Sequence, residues 1–406
     1  MSEETVVIVG AGHAGGQAAA SLRQFKWPGH IVMAGEEAYL PYQRPPLSKG
    51  FLSGDLEYER LFLKPEAFYA QHDVDRVLEA EIASLDLEAK TVHAKNGEAH
   101  RFDKLILATG ARVRRLTCPG ADCDGVYYLR TIDDVRGIQA RFREGARLVV
   151  VGGGYIGLEA AAVARKMGLE VTVLEAEDRV LARVAGPEVS AFYQDVHRDA
   201  GVDIRLGARV SEIAVEDGCV RACVLDGGEE TPADLVIVGI GILPNAEIAA
   251  EAGLVVSNGI DTNEFAQTSH RDVYAIGDCA NHFNPIYDRR MRLESVHNAL
   301  EQAKTAAAHI CGKEKPYSQV PWFWSDQYDL KLQTQGVSAG YDEAVVRGAP
   351  DARSFAVFYL KKGRLIATDA VNAPAEFLGS KALIAAGATP APERLKDPDV
   401  PLKDLI

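Results

Sequence analysis

The sequence predicts an α/β protein built from two doubly wound parallel-sheet units, with a smaller α+β domain at the C-terminal end. Three observations carry this. The stretch VVIVGAGHAGGQAAA, residues 6–20, sets a glycine triplet between a β-branched apolar run and a helix of small residues. LVVVGGGYIGLE, residues 148–159, repeats the arrangement. In each copy a further apolar run ends on an acid: Glu36 lies 21 residues past Gly15, with Glu37 beside it, and Glu175 lies 18 past Gly157.

The elements follow in order. Residues 6–9 read as a buried strand, 10–16 as the turn, 18–25 as helix, and HIVMAG as the second strand. RPPLSKGFLSG, residues 44–54, is expected to break regular structure, because adjacent prolines remove donors and fix φ. Asn96-Gly97 marks a hairpin turn in a meander that ends in a strand over 104–108. After a crossover loop, Thr131 is placed to cap a helix over 132–143. A second β-α-β unit then has a strand at 147–151, a helix at 155–167 and a strand at 170–174. A helix near 187–199, a small meander and a strand at 235–238 complete it. The chain then returns to the first unit, until VPWFWSDQY breaks the pattern and opens a third segment with a hairpin at 361–363 and a helix around 375–386. The expected division is 1–111 and 244–320 for the first unit, 112–243 for the second, and 321–406 for the C-terminal domain.

Composition narrows the class. A net charge of −14 argues against nucleic acid or an anionic membrane as the main partner. No apolar run approaches the roughly 18 residues of a membrane span. MSEETVVIVG enters a strand almost at once, without the basic flank and apolar core of a secretory leader, so a cytoplasmic protein is expected. The six cysteines show no metal-site spacing, and no metal is expected.

A glycine triplet between strand and helix has a chemical reading. The first glycine allows the tight turn, the second lets a pyrophosphate reach the backbone, and the third lets helix and strand pack. The helix N-terminus offers free N–H groups to the phosphates, and the acid takes the ribose hydroxyls. Two complete sets imply two dinucleotides, hence a flavin and a nicotinamide. Glu175, followed by Glu177 and Asp178, would repel a ribose phosphate, so NADH is expected over NADPH.

VYAIGDCA, residues 273–280, resembles the second FAD motif of the pyridine nucleotide–flavin reductase superfamily, and LILATGA, residues 105–111, resembles the strand before its crossover. The resemblance implies a glutathione-reductase-like scaffold, with FAD in the first unit and NADH in the second. It implies an FAD set of Gly10, Gly12, Ala14, Gly15, Glu36, Arg44, Pro45, Lys49, Ala108, Thr109, Gly110, Asp278, Val296, His297 and Trp324, with Asp278 on the ribityl chain. The implied NADH set is Gly152, Gly154, Tyr155, Ile156, Gly157, Glu159, Glu175, Arg183 and Gly241.

RPPLSK, GGGYIGLE, ESVHNALEQA and PWFWSDQYDLKLQ narrow the branch. Together they resemble the NADH-dependent ferredoxin reductases of bacterial oxygenase systems, of the putidaredoxin reductase and biphenyl dioxygenase reductase type. That family implies hydride transfer from NADH to FAD, then single electrons to a 2Fe–2S ferredoxin that feeds a monooxygenase or dioxygenase. It places Lys49 near the flavin N5 edge, where an ammonium stabilises charge on the reduced ring, and Glu159 near the nicotinamide, where a carboxylate orients the carboxamide. A solvated loop lysine and a surface helix charge are the plainer readings. The helix expected from about residue 294 would aim its N-terminus at the flavin pyrimidine edge. His297 either contacts the flavin or only packs, and Trp322 and Trp324 either line the flavin or fill a core.

Relatives that reduce a dithiol carry a Cys-x4-Cys pair early in the first unit. Here that place holds RPPLSKG, and Cys118 and Cys123 lie far downstream in a crossover loop, so no sulfur relay is expected. Docking of an acidic ferredoxin on an acidic protein needs a local basic patch. Arg289, Arg290, Arg292, Lys331, Lys361, Lys362 and Arg364 are the candidates. The same scaffold could serve another acceptor (rubredoxin, monodehydroascorbate or oxygen), or a redox-signalling role like that of the apoptosis-inducing factors.

Overall fold

Each glycine loop follows the central strand of a five-stranded, all-parallel sheet. The computed structural model describes residues 4–405, which divide into two compact units. One runs up to Gln43 and takes in Glu59–Arg112 and Leu243–Trp322; the other holds Arg44–Tyr58, Val113–Ile242 and the chain from Phe323 onward.

In the first unit the sheet order is Val273–Ala275, Lys104–Leu107, Thr5–Val9, His30–Ala34, Val74–Val77. Val6, Val7 and Ile8 are fully buried, because a central parallel strand is covered on both faces. The helix after the loop is His13–Gln24. It starts five residues before the expected position, since Gly12 itself is the N-cap and Gly15 lies inside the first turn.

The second unit repeats the layout with Asp203–Leu206, Glu170–Glu175, Arg147–Val151, Leu235–Val238 and Val126–Tyr128, all parallel. Its edge strand precedes the others in sequence, whereas the first unit's edge strand follows them. Each unit also inserts an antiparallel three-stranded meander before the strand that pairs with the far side of its central strand: Ile82–Arg101 before Lys104–Leu107 in one, and Val210–Pro232 before Leu235–Val238 in the other. The helix Ile132–Gln139 is shorter than expected but starts as expected. Thr131 Oγ accepts from Asp134 N while the Asp134 carboxylate accepts from Thr131 N.

Two expectations are corrected. Residues 44–54 are not irregular: Pro45–Ser48 is a 3₁₀ turn and Gly50–Ser53 an α turn. Proline is harmless at the first positions of a helix, where its missing N–H would have had no partner. Gln139 Nε2 anchors the segment by donating to Phe51 O at 2.6 Å. VPWFWSDQY is not a break either, because Trp322–Gln327 is a strand. It is the edge of a sheet completed by Leu330–Gly336, Arg364–Val371, Ser354–Lys361 and Glu343–Ala349.

Asp369 is fully buried in that sheet. It accepts from Thr334 Oγ1 at 2.5 Å and Tyr359 Oη at 2.7 Å. Burial pushes its carboxyl up to about 6 despite these two donors. The folded state therefore holds a proton that the unfolded chain releases near pH 4, and stability falls as pH rises from about 4 to about 6, by roughly 3 kcal/mol. Urea midpoints at pH 4 and 7.5 check this: the part of their difference due to Asp369 disappears in Asp369→Asn.

Candidate dinucleotide sites and a buried lysine–glutamate pair

The two loops match in their glycine geometry. Gly10 has φ +113°, and a Cβ there would lie 2.1 Å from Ala108 O. Gly152 has φ +107°, and its Cβ would lie 2.5 Å from Gly239 O. At the third position a Cβ would strike the first glycine's carbonyl, at 1.9 Å for Gly15 and 2.1 Å for Gly157. These four glycines are required by the fold itself. Gly12 and Gly154 are different: their φ values of −86° and −80° suit any residue, and a Cβ on either meets nothing within 4 Å. No contact inside the protein demands glycine there. Space kept open at a helix N-terminus fits a phosphate group close to the backbone.

The acids sit at the ends of the second strands. Glu175 Oε2 accepts from Gly153 N at 2.6 Å and its Oε1 from Glu177 N at 2.9 Å. The carboxylate is thus held against the second loop with acceptor capacity left on both oxygens. Glu36 is exposed just past the equivalent strand, while Glu37 accepts from Tyr42 Oη at 2.6 Å. Arg183 lies over Gly241, so two further candidates of the second unit meet. Ile156 is 41 % exposed in the first helical turn, an apolar side chain left open beside the loop.

In the first unit, Thr109 and Asn245 exchange bonds: Thr109 Oγ1 donates to Asn245 O at 2.6 Å, and Asn245 Nδ2 donates to Thr109 O at 3.0 Å. The helix Val296–Ile310 is capped by Ser295, close to the expected start, and places Val296 and His297 in its first turn. The His297 ring packs on Trp322. Gln302 on this helix accepts from Gly277 N at 2.8 Å, which fixes the turn that carries Asp278. Asn245 and Gln302 were missed in the sequence. Gln302 sits inside a quoted motif and Asn245 in none, and nothing local marks either as a support.

In the second unit Lys49 and Glu159 form an ion pair, with Nζ 2.6 Å from Oε2. Glu159 is only 1 % exposed, so it is not a surface helix charge. Ser48 Oγ also donates to Oε2, and Ser325 Oγ donates to Oε1 at 2.6 Å. Burial pushes the Glu159 carboxyl up, and Lys49 and the two hydroxyls oppose that shift. Both serines lie within quoted motifs, yet they are 111 and 166 residues from Glu159, and sequence reasoning did not find them. Arg44 donates to Arg130 O at 2.6 Å beside the half-buried Pro45, and Trp324 is half-buried.

All six cysteines are free, and burial pushes the Cys118 and Cys123 thiols up, away from the reactive thiolate. Arg289, Lys331, Lys361 and Lys362 are exposed. Arg290 is exposed but donates to Thr262 O and Asn281 O, and Arg364 is half-buried. Arg292 is spent inside its unit: its side chain is 10 % exposed, pairs with Glu294 at 2.6 Å and donates to Asp278 O. No group of side chains suited to a metal ion occurs among the described residues, and none of their helices is long and apolar enough to cross a membrane.

Comparison with known proteins agrees with this geometry. The chain is 47 % identical over 401 residues to the 5,5'-dehydrodivanillate O-demethylase ferredoxin reductase subunit of Sphingobium sp., covering 98 % of this chain and 97 % of the relative. It is 44 % identical to a rubredoxin-NAD(+) reductase of Pseudomonas putida over 91 % of this chain and 96 % of that one. The crystal structure of a covalent putidaredoxin reductase–putidaredoxin complex superposes with a TM-score of 0.97 at 43 % identity, covering 100 % of this chain and 98 % of the other. Residues 322–406 match the Reductase C-terminal family. With residues 4–303 matching the other family model and two glycine loops of one geometry, the chain belongs to the pyridine nucleotide-disulphide oxidoreductase family.

Proposed function

We propose that this protein is an FAD-dependent NADH:ferredoxin reductase that serves an oxygenase. The observation that carries the reading is the pair of open glycine loops, two dinucleotide sites in one chain with no dithiol poised to take the electrons. FAD, when bound, supplies the conversion between a two-electron hydride donor and a one-electron acceptor.

The chain's own residues do the rest. The first loop, Asp278 and the Val296–Ile310 helix would hold FAD; the second loop, Glu175 and Arg183 would hold NADH. On this reading residues 1–111 and 244–320 form the FAD domain, 112–243 the NADH domain, and 321–406 the C-terminal domain. Lys49 presents a cation to the ring that gains charge, and Glu159 orients the carboxamide. Ser48 and Ser325 keep Glu159 from turning away. The exposed Arg289, Lys331, Lys361 and Lys362 are the cations available for a ferredoxin, and added salt will slow that encounter.

The experiment is rapid mixing of the FAD-loaded protein with NADH, then with a 2Fe–2S ferredoxin or a rubredoxin. Fast reduction by NADH and faster reoxidation by ferredoxin than by rubredoxin are expected. Faster transfer to rubredoxin would reassign the acceptor, and sluggish reoxidation by both would favour a signalling role. Glu175 adds a separate prediction. Glu175→Gln should lower the ratio of kcat/KM for NADH over NADPH at least about tenfold, because the repulsion of the ribose phosphate is gone. An unmodified protein that already prefers NADPH would remove this role.

A further inference from the structure

The bonds to Glu159 continue beyond Ser325. Ser325 Oγ accepts from Gln327 Nε2 at 3.1 Å. The Gln327 carbonyl lies 2.8 Å from His197 Nε2, and His197 Nδ1 lies 3.1 Å from the Tyr328 hydroxyl. Ser325, Gln327 and His197 are each no more than 1 % exposed. No step in the proposed reaction uses Gln327 or His197.

Elementary valence sets the direction of every proton. Paired with the Lys49 ammonium at 2.6 Å, Glu159 stands as a carboxylate with no hydrogen to give, so the single Ser325 proton points at Glu159. Ser325 Oγ can then only accept from Gln327, which turns the Gln327 amide nitrogen toward it and the Gln327 oxygen toward His197. An amide oxygen only accepts, so His197 Nε2 carries the proton, and its bare Nδ1 accepts from Tyr328. Burial holds His197 down near about 4 and the Tyr328 phenol up near about 12, so the ring is neutral and the phenol keeps its proton. All donors run one way, and the last acceptor is Glu159 Oε1.

We propose that Ser325, Gln327, His197 and Tyr328 are positioning residues for hydride transfer, a one-way hydrogen-bond chain that holds the Glu159 carboxylate in one orientation. The role rests on the reading of Glu159 as the group that orients the nicotinamide. Lys49 and Ser48 both bind Oε2, so Ser325 is what fixes Oε1. The terminal torsion of a glutamate is otherwise broad. Aligned donors polarise one another, so the distal members strengthen the bond that reaches the carboxylate.

Two measurements test this. With ¹⁵N-histidine in the intact protein, NMR reads the His197 tautomer, its signal identified by its loss in His197→Gln. The Nε2–H form is expected; the Nδ1–H form reverses the chain and overturns the proposal. In the FAD-loaded protein, Ser325→Ala should slow flavin reduction by NADH about tenfold, with half-saturation by NADH changed less than about twofold. Ser325→Thr should recover most of the rate. Added to Glu159→Gln, Ser325→Ala should cost less than a further factor of about two, because both act through one carboxylate. Independent, multiplying effects would mark a merely structural serine and overturn the proposal. A slow Glu159→Gln beside a wild-type-rate Ser325→Ala removes this proposal alone. A wild-type-rate Glu159→Gln removes the nicotinamide role of Glu159 and the proposal with it.

Discussion

Gly12→Val will yield a folded protein that purifies without FAD, and Gly154→Val a yellow protein that NADH no longer reduces. The argument is steric. At both positions the backbone is extended and a Cβ meets nothing within 4 Å, so the fold tolerates the larger side chain. On the proposed reading the new atoms occupy the space that the phosphates need, and apparent affinity should drop roughly 100-fold or more, about 3 kcal/mol. Absorbance of the purified protein and an NADH titration read the two losses separately. Gly10→Ala is the contrast. Its φ of +113° and the 2.1 Å approach to Ala108 O make it a folding defect rather than a binding defect. A Gly12→Val protein that keeps a full complement of FAD would show that the first loop is not the phosphate site.

Lys49→Met will be among the most destabilising single changes in the second unit. It strands the Glu159 carboxylate, 1 % exposed, with two hydroxyls and no counter-charge. Breaking a buried pair by removing one partner costs about 3–5 kcal/mol, most of it the desolvation of the charge left behind. Adding Glu159→Gln to Lys49→Met removes that charge and should restore most of the lost stability. Urea unfolding of the wild type, the two single variants and the double variant closes the cycle. A Lys49→Met protein as stable as the wild type would mean that the pair is not held in the folded protein. Urea unfolding does not depend on turnover, so the pair's structural weight is separable from its part in the reaction.

The parallel strands, both glycine loops and the Thr131 cap were legible in the sequence for one reason. Each depends on neighbours a few residues away: apolar runs that a parallel sheet buries on both faces, glycines where φ is positive, and a hydroxyl three residues before the N–H that it caps. The errors came where a local signal was overridden. Two prolines suggested a break at 44–54, but they stand where a helical turn needs no donors. The first helix began inside its glycine turn because Gly15 has no side chain to keep it off Gly10 O.

By itself, then, the sequence determined that this chain holds two dinucleotide folds, each with its loop and its acid, since those features are written at short range. Only the tertiary structure decided that Glu159 is a buried charge and which groups hold it. Lys49, Ser48 and Ser325 reach it across more than a hundred residues of chain, and whether a helical carboxylate faces water or a lysine is settled by what packs over it.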